Sequence, residues 1–172
     1  MRYRLLASCA ILALIVLPIL GAKIPRPAPE LLFKLPNGDM MKLSQFKGKV
    51  VALEFMLTTC PHCKRTATTM QKLYAEYGPA GFQPLSVAIN DEAEKDIPAY
   101  IAEQRLTYPV GLSNRDRAVD FLQHPIMMTL WVPQLVIIDK EGAIRGQYGG
   151  TDKFFQAEEQ NMRGMVEKLL AE

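Results

Sequence analysis

Apolar positions along the chain alternate between short unbroken runs and longer stretches with three- and four-residue spacing. Val50 to Leu57 (VVALEFML) is the clearest run, β-branched and aromatic at its start. Such a run suits a strand buried on both faces. From about Pro61 to Tyr77 the period is helical, with Met70, Leu73, Tyr74 and Tyr77 on one stripe and Gly78-Pro79 as the stop. Phe82 to Ile89 predicts a second strand and Glu92 to Arg105 a helix that Pro98 kinks or breaks near its start. Tyr108 to Leu112 predicts a brief strand and Asn114 to Leu122 a short helix. Leu135 to Asp139 and Ala143 to Tyr148 form a hairpin turned by Lys140-Glu141-Gly142. Thr151 or Asp152 caps a final amphipathic helix to about Leu170. Ahead of all this, Leu31 to Leu35 and Met40 to Leu43 pair across Asn37-Gly38, the strongest two-residue hairpin signal, and Ser44 caps a single helical turn. The order βαβαβαββα after an N-terminal hairpin predicts an α/β fold, a mixed central sheet flanked by helices.

One residue interrupts the first long run. Glu54 places a carboxylate in the middle of a buried strand, which is costly unless the group has a partner or a task. A lysine such as Lys49 is one reading, proton transfer the other.

The chemistry sits where that run gives way to a helix, at Thr59-Cys60-Pro61-His62-Cys63-Lys64. A metal site, a fixed disulfide and a redox pair are the three readings. The chain has three cysteines, too few for a disulfide scaffold or a four-thiolate zinc site. A bridge closing so short a loop constrains the unfolded chain little, which argues against an inert disulfide. A helix N-terminus favours thiolate at Cys60 through its partial positive charge and its unpaired N–H groups. A protonated His62 would add to this, and together such effects lower a cysteine pKa from about 8.5 into the range of about 3.5–7.5. Pro61 fits the first helical position, where its missing N–H is no loss. Cys63, one turn in, is then the buried resolving thiol.

Charge narrows the partners. The formal net charge is +2, and Arg2 and Arg4 supply it, so the remainder carries basic and acidic side chains in equal number. Such a chain has no bulk attraction for nucleic acid. Arg2 and Arg4 precede an uncharged run from Leu5 to Ala22, roughly 27 Å long as a helix. Residues 1–22 therefore read as an N-terminal membrane anchor or a signal peptide. Leu20-Gly21-Ala22 is a poor cleavage site, which favours the anchor. Cys9 lies too early in the run for a lipid-attachment site and reads as a small residue within it. Either way the domain is expected outside the cytoplasm, on the periplasmic side, where disulfides persist. Residues 23–30 (KIPRPAPE) read as a proline-rich, semi-rigid linker, and residues 31–172 as the domain.

VVALEFMLTTCPHC followed by WVPQLVIIDKEG resembles the thioredoxin superfamily, specifically its membrane-tethered TlpA/ResA-like branch, over about residues 28–170. The resemblance implies a thioredoxin fold with an N-terminal β-hairpin and a strand-helix insertion at about Asp91 to Leu112. It implies a protein thiol-disulfide oxidoreductase that needs no cofactor and no metal. Its partners would be proteins with disulfides or thiols and a membrane redox partner. Cys60 matches the attacking thiol, Cys63 the resolving thiol, and Glu54 the buried acid that moves protons at the second cysteine. Pro133 matches the cis-proline facing the disulfide; Val132 precedes it as a candidate substrate contact, and Trp131 either packs in the core or flanks the substrate groove. Met56 and Thr59 stand where that family usually has tryptophans. Pro61-His62 and Val132 are instead typical of the DsbA oxidases, so the direction of electron flow stays open between a reductant and a DsbA-like oxidant.

An alternative from another class is a Sco-like copper-binding metallochaperone on the same fold, with His124 as third ligand. Three residues separate the cysteines in that family and two here. A peroxidase of the peroxiredoxin type is weaker still, because Leu57 occupies the position of its threonine.

Overall fold

The structure is a computed structural model that describes residues 23–172. The apolar segment at 1–22, Cys9 included, lies outside the described residues. The eight-residue run folds as β4 (Val50–Met56), every residue of it buried. It lies at the centre of an eight-stranded mixed sheet of order β1-β8-β7-β4-β5-β6-β2-β3. Its neighbours are β5 (Phe82–Ala88), parallel to it, and β7 (Gln134–Ile138), antiparallel. Beyond β5, β6 (Val110–Leu112) joins the hairpin of β2 (Leu32–Lys34) and β3 (Met40–Lys42) to the sheet. On the other side β8 (Ala143–Tyr148) pairs with β7.

Side chains alternate across a strand, and β4 shows what this decides. Val50, Ala52 and Met56 face the core shared by α1 (Pro61–Tyr77), α2 (Ala93–Gln104) and α4 (Glu158–Ala171). Val51, Leu53 and Phe55 face the core under α3 (Arg115–Leu122) and the N-terminal hairpin. Glu54 keeps the parity of Ala52 and Met56, so its carboxylate points to the face covered by α1. The expected strand-helix insertion is α2 with β6, and Pro98 lies inside α2.

Three expectations are corrected. The proline-rich linker does not stand off the domain as a semi-rigid spacer throughout: Arg26–Pro27 forms β1, antiparallel to Ile144 and Ala143 of β8. The Arg26 guanidinium holds it there, donating to the Phe121 carbonyl and to Gln147 Oε1, both at 2.9 Å. Ser44 caps nothing. The 3-10 turn starts at Leu43 (Leu43–Phe46), with Gln45 Oε1 accepting from the Lys42 N–H and Glu30 Oε1 from the Ser44 N–H. The last helix begins at Glu158, after a separate 3-10 turn (Lys153–Ala157) that Asp152 caps. Phe154 causes the interruption, since it stacks on Tyr148 of β8 with centroids 3.9 Å apart.

Replacing Arg26 by alanine is expected to lower stability by about 1–2 kcal/mol, the scale of a charge-assisted hydrogen bond at a half-buried site. Urea unfolding measures it, and an unchanged midpoint would show that β1 adds nothing to the sheet.

Candidate functional site

Cys60 follows β4 by four residues and is the N-cap of α1, in extended backbone at φ −81° and ψ 118°. Its sulfur takes the place of a capping oxygen: the Cys63 N–H donates to Sγ at 3.3 Å. Pro61 occupies the first helical position, where its missing N–H leaves no helical bond unmade. The approach to Cys60 is fixed by Thr58, whose N–H donates to Asn90 Oδ1 and whose hydroxyl donates to Asp96 Oδ2. Cys60 is half-buried while Cys63 is fully buried, and both are free thiols. One sulfur is thus open to a partner and the other is held behind it.

Burial pushes the Cys63 thiol up, and the Glu54 carboxyl and a hydrogen bond with Cys60 push it further in the same direction. Glu54 is itself fully buried. Desolvation raises its carboxyl to about 8, with the charge of Glu158 adding to the rise and a hydrogen bond from Ser86 opposing it. The Ser86 hydroxyl donates to Glu54 Oε2 at 2.9 Å and meets the Tyr108 hydroxyl at 3.2 Å. Glu54 Oε1 has no protein partner. Lys49 takes no part, since its ammonium bonds Gln83 on the neighbouring strand. Of the two readings of Glu54, the lysine pair is therefore absent. The carboxyl remains close enough to the buried thiol to shift its titration.

His62 is exposed on the first turn of α1. The Arg65 guanidinium lies 3.1 Å from its Nδ1. A guanidinium only donates, so Nδ1 accepts in this arrangement, and the permanent positive charge of the turn belongs to Arg65. Arg65 Nε also reaches Glu158 Oε2 at 3.4 Å, a buried acid at the start of α4. Sequence reasoning missed Ser86, Tyr108, Arg65 and Glu158. Ser86 left a signal: it is the register partner of Glu54 in an adjacent buried strand.

Pro133 is buried immediately before β7, and the Val132–Pro133 peptide is cis. The antiparallel register Phe55↔Gln134 brings this residue to the end of the sheet from which Cys60 emerges. Val132 packs against the same core as Cys60. Trp131 does not pack inside; it is 60% exposed. Gly150 lies close behind, its N–H donating to the Trp131 carbonyl at 3.1 Å. A side chain on Gly150 would strike the Val132 carbonyl at 2.5 Å, so glycine is required for this approach. His124 bonds the carbonyl of Pro125 through Nδ1 and lines a groove with Arg115, Asp116 and Ile126. Among the described residues no cluster of three or more His, Cys, Asp or Glu is placed to hold a metal.

Comparison with known proteins agrees with this geometry. Residues 24–147 match the AhpC/TSA family. The thioredoxin-like protein YneN of Bacillus subtilis is 27% identical over 135 residues, 76% of this chain and 74% of that protein. The thiol-disulfide oxidoreductase ResA of Bacillus cereus is 26% identical over 137 residues, 80% of this chain and 76% of that protein. Among solved structures, a thioredoxin-family thiol:disulfide interchange protein from Chlorobium tepidum superposes with a TM-score of 0.71 at 22% identity, covering 85% of this chain and 97% of that one. The thioredoxin domain of a thiol-disulfide oxidoreductase from Bacteroides vulgatus gives 0.68 at 23% identity, over 85% and 96%. With its family match spanning most of the domain and its sheet shared with these structures, the chain belongs to the AhpC/TSA family and has a thioredoxin fold.

Proposed function

We propose that this protein is an extracytoplasmic thiol-disulfide oxidoreductase, tethered by residues 1–22, that exchanges electrons with protein disulfides through Cys60 and Cys63. The carrying observation is the pairing of a half-buried Cys60 sulfur, held by the Cys63 N–H, with a fully buried second thiol. The names of the relatives point to the same chemistry. In the reducing direction, Cys60 thiolate attacks one sulfur of a substrate disulfide, forming a mixed disulfide and expelling the other sulfur as a thiolate. Cys63 then attacks Cys60 Sγ, its proton passing to ionised Glu54, and the second substrate sulfur leaves. Two electrons move to the substrate and the Cys60–Cys63 disulfide remains. The cis Val132–Pro133 bond lies at the Cys60 end of the sheet, and we assign these two residues to substrate contact. A membrane redox partner would restore the starting state.

The test is exchange itself. Reduced protein should cleave a model protein disulfide while losing two thiols, or oxidised protein should form one in a dithiol substrate while gaining two, and failure in both directions would overturn the reading. The Cys63 N–H and the N-terminal turn of α1, both at Cys60 Sγ, favour the reduced form. The potential of the pair in glutathione buffers is therefore expected above about −270 mV, toward the oxidising value of about −120 mV. A potential at or below the lower figure would show that these groups do not stabilise the reduced pair.

A further inference from the structure

The chain exposes a run of large apolar side chains that neither the core nor the proposed chemistry uses. Ile126 is 88% exposed, Met127 96%, and Met128 and Trp131 60% each. They lie on the connection between α3 and β7, which carries no charge from Pro125 to Pro133. The Met128 N–H closes a turn on the Pro125 carbonyl at 2.9 Å, so Ile126 and Met127 form its protruding tip. Leu130 is buried beneath them and ties the loop to the domain. Contiguous exposed apolar surface of this kind marks a partner or a membrane.

The fold places this tip beside the point where the N-terminal segment leaves the domain. Arg26 of β1 bonds the carbonyl of Phe121, at the end of α3, and Gln147 bonds that of Leu122. Ile126 is five residues from Phe121, a reach of at most about 17 Å. β1 runs antiparallel to β8 with Arg26 opposite Ile144. Residues ahead of Arg26 therefore head toward the Tyr148 end of β8, where Gly150 touches Trp131. That is also the end of the sheet that carries Cys60. Residue 22 is at most about 14 Å of chain from Arg26.

We infer that the 126–131 loop is a membrane-contacting surface. Ile126, Met127 and Met128 enter the interfacial layer of the bilayer that holds residues 5–22, Trp131 sits at headgroup level, and the cysteine pair faces the membrane. The inference rests on the reading of residues 5–22 as a membrane segment and adds an orientation to it. A bilayer fits better than a client polypeptide because the loop carries no charge from Pro125 to Pro133 and lies beside the point where the N-terminal segment leaves the domain. Aromatic residues favour the interface, and apolar faces of peripheral elements sink about 5–10 Å into it. The groove behind the loop mixes Arg115 with Asp116 and Asp120. Apolar burial, not charge, then holds the loop, so contact should survive high salt.

Trp131 is the chain's one tryptophan and reports on the loop directly. Full-length protein is reconstituted in phosphatidylcholine vesicles with or without lipid bearing a nitroxide near the headgroup. Lipid quenching of Trp131 by about half is expected, together with acrylamide access about threefold lower than in the variant Ile126→Asp with Met127→Asp, as for a side chain buried at the interface. A chain that floats with the vesicles but keeps Trp131 unquenched by lipid and open to acrylamide overturns the inference alone. Protection of Trp131 by an added client peptide but not by lipid also overturns it. A chain that does not float overturns the anchor and this inference together. The wild-type quenching stands without any variant, so misfolding of the double substitution cannot rescue the idea.

Discussion

Disulfide exchange should fall at least about a thousandfold when Cys60 is replaced by alanine, the scale on which removal of a nucleophile acts. The loss follows from position. Cys60 is the sulfur with access to solvent, and it receives the Cys63 N–H. Cys63 is fully buried and cannot stand in for it. Cys63→Ala should behave differently. The first attack survives, resolution fails, and a mixed disulfide between Cys60 and substrate accumulates, visible as a shifted, reductant-sensitive band. An equal and complete loss in both variants with no trapped species would remove the two-step mechanism. Exchange by Cys60→Ala at the wild-type rate would remove Cys60 from the chemistry.

The placement of the two thiols, one at the helix start and one buried a turn further in, was legible in the sequence because it follows from strong local signals. An unbroken apolar run, a proline at the first helical position and a stripe at helical spacing fix where β4 ends and α1 begins. Glu54 was legible as an anomaly, and strand parity then assigns its face. What escaped depends on contacts distant in sequence. Nothing in KIPRPAPE distinguishes a spacer from an edge strand, because the groups that dock Arg26 lie 95 and 121 residues away. Glu158 reads as an ordinary first-turn acid of a helix, and only packing of α4 on α1 buries it against Arg65. The 3-10 turn before α4 exists because Phe154 must stack on Tyr148, a contact no local periodicity encodes. His62 shows the opposite case. Its partner Arg65 is three residues on, a helical neighbour, and the spacing alone could have suggested that the imidazole shares the turn with a permanent cation.

Glu54 carries the second large effect, on stability and rate together. Its carboxyl lies at 4.5 when unfolded and at about 8 in the fold, mainly because burial penalises the charged form. Below 4.5 both states hold the proton and the group contributes no pH dependence. Above it the unfolded chain ionises first, so stability falls with rising pH until the folded carboxyl also ionises near 8, and is then level. Each pKa unit is worth about 1.4 kcal/mol, which makes the full fall on the order of 3–5 kcal/mol. Glu54→Gln keeps an acceptor for the Ser86 hydroxyl and removes the charge. The variant should match wild type within about 1 kcal/mol at pH 5 and exceed it by about 3 kcal/mol or more at pH 8.5. Urea unfolding of the reduced protein at the two pH values measures the difference. Parallel pH slopes for the two proteins would mean that Glu54 does not titrate in this window. Resolution should respond in the opposite sense. In the wild type it accelerates up to about pH 8, as ionised Glu54 becomes available to take the Cys63 proton. In Glu54→Gln it should be about a hundredfold slower, with that rise absent. A variant that gains alkaline stability yet resolves the mixed disulfide at the wild-type rate would leave the buried acid as a cost to the fold with no part in proton transfer.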